Sequence, residues 1–237
     1  MTTLTKCIIL LSGGQDSTTV ALQAKAHYEE VHALTIHYGQ RHEIEVESAL
    51  AVGKALGVTS HEIIELGNVL KSTSPLISGN SVDTFEKSED VPEGVANTFI
   101  PSRNALFLTL ASNRAIALGI STVYTGVCEC DYSGYPDCRR VFIDALEDAL
   151  SLGNFGEKDK FKILTPLMSL TKAETVKLAQ SLLGVEEFTK MFELTHTCYQ
   201  GVKGGCGHCA ACLLRDKGFT EAGVDDPIWK FREAQNG

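Results

Sequence analysis

Leu11-Ser12-Gly13-Gly14-Gln15-Asp16-Ser17-Thr18-Thr19 decides how this chain folds, because of what stands on either side of it. The apolar run that leads into it, Cys7 to Leu11, reads as a strand. Beyond it, Asp16 to about Tyr28 reads as a helix. A strand that turns through two glycines into a helix presents unpaired N–H groups and a positive dipole end, which suits an anion. Gly13 and Gly14 let backbone come close to a phosphate, Ser12, Ser17 and Thr18 offer hydroxyl donors, and Asp16 is placed to cap the helix or help hold Mg2+. The plain alternative is an ordinary β–α turn with an aspartate cap. The string is neither a Walker A loop, since no Gly-Lys-Ser/Thr follows, nor the GxGxxG of dinucleotide folds.

Outward from this turn, strands and helices alternate. Val31 to Ile36 reads as a second strand, His42 to about Leu56 as a helix closed by Gly57, and His61 to Leu66 as a third strand. Helices are expected from Asn104 to about Leu118 and from about Asp137 to Leu152, with a strand from Thr122 to Gly126 between them. The spacing Thr171-x-x-Glu174 predicts a capping box opening another helix. This is the α/β pattern of a parallel, Rossmann-like sheet with helices on both faces. The polar stretch from Gly67 to Thr98 has no periodicity and reads as a long loop or lid. Residues 1–193 are expected to form the nucleotide-binding catalytic domain, and 194–237 a small metal-stapled extension.

A chain of 237 residues, 43% of them hydrophobic, can bury one sizeable core with a small appendage. Net charge is −9, with no Lys/Arg-rich window, so direct nucleic-acid binding is not expected. No apolar stretch approaches the ~18 residues of a membrane span, and the apolar N-terminal run is followed by Ser-Gly-Gly instead of a cleavage site. The chain reads as cytoplasmic. In that reducing setting, Cys198-x7-Cys206-x2-Cys209-x2-Cys212 reads as four thiolates around one tetrahedral, structural Zn2+, with His196 or His208 as alternative ligands and an iron–sulfur cluster as the less favoured occupant. Cys7, Cys128, Cys130 and Cys138 read as packed thiols, with a place at the active-site wall as the alternative for Cys128 and Cys130.

SGGQDS resembles the SGGxDS signature of the PP-loop ATP pyrophosphatases, whose adenine nucleotide alpha hydrolase-like fold would suit this alternation. Further strings narrow the match: His37-Tyr38-Gly39-Gln40-Arg41-His42, Asn97 to Asn104, Thr125 to Arg139, Thr165-Pro166-Leu167-Met168, Lys172-Ala173-Glu174-Thr175 and the final CGHCAACLLR. Together they resemble the 7-cyano-7-deazaguanine (preQ0) synthase family from about Cys7 to Phe219. The resemblance implies a ligase that converts 7-carboxy-7-deazaguanine, ammonia and ATP to the nitrile, through adenylylated acid and amide, for queuosine biosynthesis. It also implies a homodimer. One departure is Ser102, where the family carries glycine, a cost if φ is positive there.

On that resemblance ATP is expected to contact Leu11, Ser12, Gly13, Gly14, Gln15, Asp16, Ser17, Thr18, Thr19, Val20 and Ala21. Asp16, Arg103 and Lys172 are the catalytic candidates. Gln40, Arg41, Arg103, Glu129, Asp131, Tyr132, Tyr135 and Asp137 are the substrate-binding ones. For the charged residues the bland reading is a solvated helix start or a satisfied loop group. The rival enzyme, a tRNA-thiolating PP-loop protein, would need a basic face that this acidic chain lacks. A glutamine-dependent amidotransferase would need a glutaminase domain, for which no room remains.

Overall fold

Burial with a period of two along the first strands makes a sheet covered on both sides. In β1 (Lys6–Leu10), Cys7 and Ile9 enter one core while Ile8 enters the other. In β2 (Glu30–His37), Val31 and Ala33 join the first core and Leu34 and Ile36 the second. The structure, a computed structural model, describes residues 5–40, 43–92, 94–129 and 134–236. With β3 (Ser60–Glu65), β4 (Thr122–Tyr124) and β5 (Lys162–Leu164), the strands form one parallel sheet in the order β3-β2-β1-β4-β5.

The first core is closed by α1 (Gln15–His27), α2 (Ile44–Leu56), α6 (Lys172–Leu183), α7 (Val185–Phe192) and α8 (Ala210–Ala222), through Val20, Ala21, Val52, Val176, Phe188, Phe192 and Phe219 among others. Phe188 stacks on Phe192 at 4.3 Å between ring centres, and Phe219 of α8 lies about 6 Å from both, at 6.2 and 6.1 Å. The other face is covered by α4 (Arg103–Ala117) and α5 (Arg140–Phe155), with Leu108, Ala111, Ala115 and Ile143 inward. A short α3 (Pro75–Ser78) and a C-terminal α9 (Trp229–Asn236) complete the helices among the described residues. None is long and apolar enough to cross a membrane.

Local signals hold where they have a local mechanism. Gly57 ends α2 in the left-handed conformation, φ +60°, its N–H returning to Lys54 O. Thr171 Oγ1 accepts the Glu174 N–H at 3.2 Å while Glu174 Oε2 accepts the Thr171 N–H at 2.8 Å, the expected capping box. Three elements differ from expectation. The strand β5 is three residues long, too short to show a period. Pro136–Cys138 form a separate 3-10 turn, so α5 starts at Arg140 instead of Asp137. A further helix, α7, stands before Leu194, separated from α6 by Gly184 at φ +75°.

The expected loop from Gly67 to Thr98 is largely irregular and tied at two points. Ser74 Oγ donates to Thr98 O at 3.0 Å and closes its base. Its far part pairs with the cysteine region: Thr84 bridges Cys209, and the Phe85 N–H donates to His208 O at 2.8 Å.

Helices α6 and α8 pack closely enough that a Cβ on Gly218 would lie 2.6 Å from Lys172 Cβ and 3.2 Å from its carbonyl carbon. Gly218→Ala is therefore expected to destabilise the protein by about 1–3 kcal/mol through overpacking. An unchanged denaturation midpoint would show that α8 can shift outward at no cost.

Candidate nucleotide site and cysteine cluster

In a parallel sheet, a crevice opens where the strand order reverses, at the carboxyl ends of the strands. Here that point lies between β1 and β4. A cavity of about 310 Å³ occupies it. Leu11, Ser12, Gly14, Gln15, Asp16 and Ser17 line it from the phosphate loop, Tyr38 and Gln40 from the end of β2, and Glu45 from α2. Arg103 and Asn104 enter from α4, Thr125 to Cys128 from the end of β4, and His196, Thr197 and Tyr199 from the segment before α8.

The loop's glycines have different causes. Gly13 has φ +82°, and a Cβ there would stand 2.5 Å from Ala49 N and 2.7 Å from Glu45 O, so it is the backbone of α2 that excludes a side chain. Gly14 is the residue before α1, in extended conformation. Opposite it, Gly126 brings the end of β4 so close that a Cβ would lie 3.1 Å from Ser17 N.

The hydroxyls are all engaged within the loop and helix. Ser12 Oγ donates to Ser17 Oγ at 3.0 Å, and Ser17 Oγ donates on to Gly14 O at 3.1 Å, both serines lying at the cavity wall. Thr18 and Thr19 donate back into the helix, to Gly14 O and Gln15 O, each at 2.9 Å. Both threonines are buried, and Val20 and Ala21 belong to the first core. Of the predicted ATP window, Gly13 and Thr18 to Ala21 therefore support the loop from behind instead of lining the cavity.

Lys172, at the start of α6, forms an ion pair with Asp16 Oδ2. Asp16 Oδ1 and Gln15 Oε1 are buried with no hydrogen-bond partner among the described residues. An unpartnered carboxylate oxygen beside an anion site is the donor a hard cation such as Mg2+ takes. Arg103 sits with its guanidinium 5.9 Å from the ring centres of both Tyr38 and Tyr135. Desolvation opposes its charge, but the hydroxyls of Tyr38, Tyr135 and Tyr199 and the Asp137 carboxylate outweigh it and raise its pKa. It is a fixed cation at the cavity wall.

The substrate-binding candidates separate. Gln40 lines the cavity and its Oε1 accepts the Tyr38 N–H at 2.8 Å. Tyr135 also lines it, with its ring 5.4 Å from Phe99 and its hydroxyl 2.6 Å from Thr98 Oγ1. Glu129 instead accepts the Arg140 N–H at the start of α5, and Asp137 accepts the Asn104 N–H at 3.2 Å at the start of α4. Each satisfies an orphan helix donor, and neither is among the lining residues. Burial raises the Asp137 pKa. Arg41, Asp131 and Tyr132 lie outside the described residues. Ser102 has φ +64°, the left-handed conformation in which serine, unlike glycine, is strained.

The sulfurs of Cys198, Cys206, Cys209 and Cys212 lie within 4.8 Å of one another. A tetrahedral Zn2+ with bonds of roughly 2.3 Å separates its sulfurs by roughly 3.8 Å, close to the 3.9 Å between Cys206 Sγ and Cys212 Sγ. Backbone N–H groups of His208 and Cys209 donate to Cys206 Sγ at 3.4 and 3.3 Å, as suits thiolates. The donor set fits a metal. Of the two histidine alternatives, His196 Nε2 faces Cys198 O at 3.0 Å, while His208 is exposed and meets Cys206 Sγ through its backbone N–H.

The family model "Queuosine biosynthesis protein QueC" matches residues 6–223. The 7-cyano-7-deazaguanine synthase of Gloeobacter violaceus is 57% identical over 228 residues, covering 96% of this chain and 97% of that protein. Among solved structures, a 4-thiouridine synthetase–RNA complex with bound ATP aligns with a TM-score of 0.48 and 19% identity, over 78% of this chain and 42% of that one. The NH3-dependent NAD synthetase from Campylobacter jejuni aligns with a TM-score of 0.44 and 22% identity, over 80% and 69%.

Sequence reasoning missed Glu45, Tyr38, Asn104, His196, Thr197 and Tyr199 as cavity residues. Glu45 had only one local signal, an acidic side chain in a helix's first turn, which the helix dipole alone explains. In the fold, burial pushes its carboxyl up to about 7, with Arg103 offsetting part of the effect. The native state then holds a proton that the unfolded chain releases from about 4.5, the ordinary value. Glu45's share of stability is largest below that value and falls as pH rises to about 7. Glu45→Gln is thus expected to be more stable than the parent at pH 8, by about 3 kcal/mol, and level with it near pH 4. Chemical denaturation at both pH values checks this, and equal midpoints at pH 8 would contradict it.

Proposed function

The chain belongs to the QueC family of queuosine biosynthesis proteins, and on that footing we propose that it converts 7-carboxy-7-deazaguanine, ammonia and ATP to 7-cyano-7-deazaguanine. The observation that carries this reading is the start of α1, flanked by Asp16, Lys172 and Arg103, facing the cavity at the sheet's switch point.

The first N–H groups of α1, with the Ser12 and Ser17 hydroxyls, hold the pyrophosphate portion of ATP. Arg103 faces the acid and neutralises its carboxylate as the oxygen approaches the α-phosphorus. That oxygen forms the new P–O bond while pyrophosphate leaves with the electron pair of the old one. Ammonia then adds to the acyl carbon, loses a proton, and expels AMP, leaving the amide. A second ATP adenylylates the amide oxygen, and loss of AMP with the two amide protons leaves the nitrile. Lys172, paired to Asp16, keeps that carboxylate oriented at the loop. Gln40 and Tyr135 shape the wall beside the base. Mg2+ bound with ATP supplies charge neutralisation at the phosphates, and Asp16 Oδ1 is the free donor this chain offers it.

In this reading residues 1–193 carry the phosphate loop and most of the catalytic unit, and 194–237, which add His196, Thr197 and Tyr199 to the cavity wall, hold one structural Zn2+ through Cys198, Cys206, Cys209 and Cys212. A closed four-sulfur site leaves no position for substrate. The net charge of −9 supports small-molecule substrates without direct nucleic-acid binding. The enzyme would work in the cytoplasm as a homodimer.

Incubation with ATP, Mg2+, ammonium and the acid should release AMP and pyrophosphate and yield the nitrile mass; ADP as the sole nucleotide product would refute the reading. Asp16→Ala should lower turnover at least about 100-fold. Cys209→Ser should lose about one equivalent of zinc by elemental analysis and melt at lower temperature. A metal-free variant of undiminished stability would show that the cluster is not structural.

A further inference from the structure

Arg215 of α8 is a permanent cation with 2% of its surface exposed. Its guanidinium grips Asp226 with two bonds, Nε to Oδ2 at 2.6 Å and NH2 to Oδ1 at 2.8 Å. Its remaining terminal nitrogen donates to two hydroxyls, Thr195 Oγ1 at 2.9 Å and Thr197 Oγ1 at 3.0 Å. Those threonines bracket His196, whose N–H donates to Gly13 O at 2.9 Å. His196 O in turn faces Gly14, where a Cβ would stand 3.5 Å away. His196 and Thr197 themselves line the nucleotide cavity. An unbroken series of contacts therefore runs from the C-terminal region to the phosphate loop.

A buried ion pair is poor value as a source of stability, because apolar residues of similar volume hold a core as well or better. Its distinguishing property is geometry: a planar fork of donors can hold a carboxylate and two hydroxyls at set positions together. We infer that Arg215 is a positioning residue for the nucleotide, holding His196 against Gly13 through Thr195 and Thr197 and so setting the shape of the phosphate loop. The inference rests on that loop binding ATP, as proposed above. On this account the segment ahead of the cysteine cluster is a wall of the nucleotide site and not only a link to a metal-stapled appendage. Displacements on the order of 1 Å in such a wall cost up to about 100-fold in productive binding and reaction.

The test separates positioning from folding. The double variant Arg215→Met/Asp226→Leu removes the pair without leaving a buried charge unpaired, so its melting temperature is expected to stay near that of the parent. Calorimetric titration with Mg2+ and α,β-methylene ATP should show Kd raised at least about tenfold, and steady-state assays should show KM for ATP raised while KM for the acid is unchanged. Thr195→Val keeps the ion pair and removes one anchor, and should weaken the analogue several-fold. It serves as the deciding variant if the double variant does not fold. A folded variant of either kind that binds the analogue as tightly as the parent overturns the inference. Failure of the parent protein to bind it would instead strike at the phosphate-loop reading itself.

Discussion

The backbone of Gly13 is held from two sides, and the site depends on that confinement. Its α-carbon is pressed against the first turns of α2, with no space for a side chain, and its carbonyl accepts the His196 N–H. A loop that must present N–H groups to a phosphate cannot also wander, since each donor has to be in place before the ligand arrives. The glycine is thus needed for the packing of the loop on α2. Thr18 and Thr19 turn their hydroxyls back into the helix. Part of the signature faces the cavity and part stiffens what faces it.

Charge follows a similar economy. Glu129 and Asp137 cap α5 and α4, and the capped start of α4 is what carries Arg103 to the cavity wall. Removing either carboxylate would release a helix-terminal N–H beside the site. Among the described residues, Arg103, Glu45 and the Asp16–Lys172 pair are the charged groups aimed at or tied into the cavity. Their mixture of signs in a half-buried space suits a reaction in which negative charge is gathered, moved and released.

The cysteine cluster and the loop from Gly67 to Thr98 make one unit. Val82 packs with Cys198, Cys209 and Cys212, and the Thr84–Cys209 bridge ties the loop to the cluster. Tyr199, the residue after Cys198, lines the nucleotide cavity. Metal binding would therefore order the long loop and one side of the cavity together, because the entropy of ordering both is met by the same ligand bonds.

The sequence by itself determined the features whose causes are local. The strand–glycine–helix turn, the Gly57 stop, the Thr171 capping box and the four clustered cysteines all appear where they were read, since each depends on residues a few positions apart. Their resemblance to a known family was legible for the same reason. What the fold alone decided is which of these residues meet. Asp16 and Lys172 are 156 residues apart in the chain and form one ion pair, Glu45 reaches the cavity only because α2 packs on Gly13, and Arg215 is buried because Asp226 and two threonines enclose it. Glu129 and Asp137 meet the first N–H groups of α5 and α4, partners that lie far from them or on another element and that their residue types alone did not name. A side chain's chemistry is written in its type, but its role is set by which groups the packed chain brings within hydrogen-bond reach, and that is a property of the whole core.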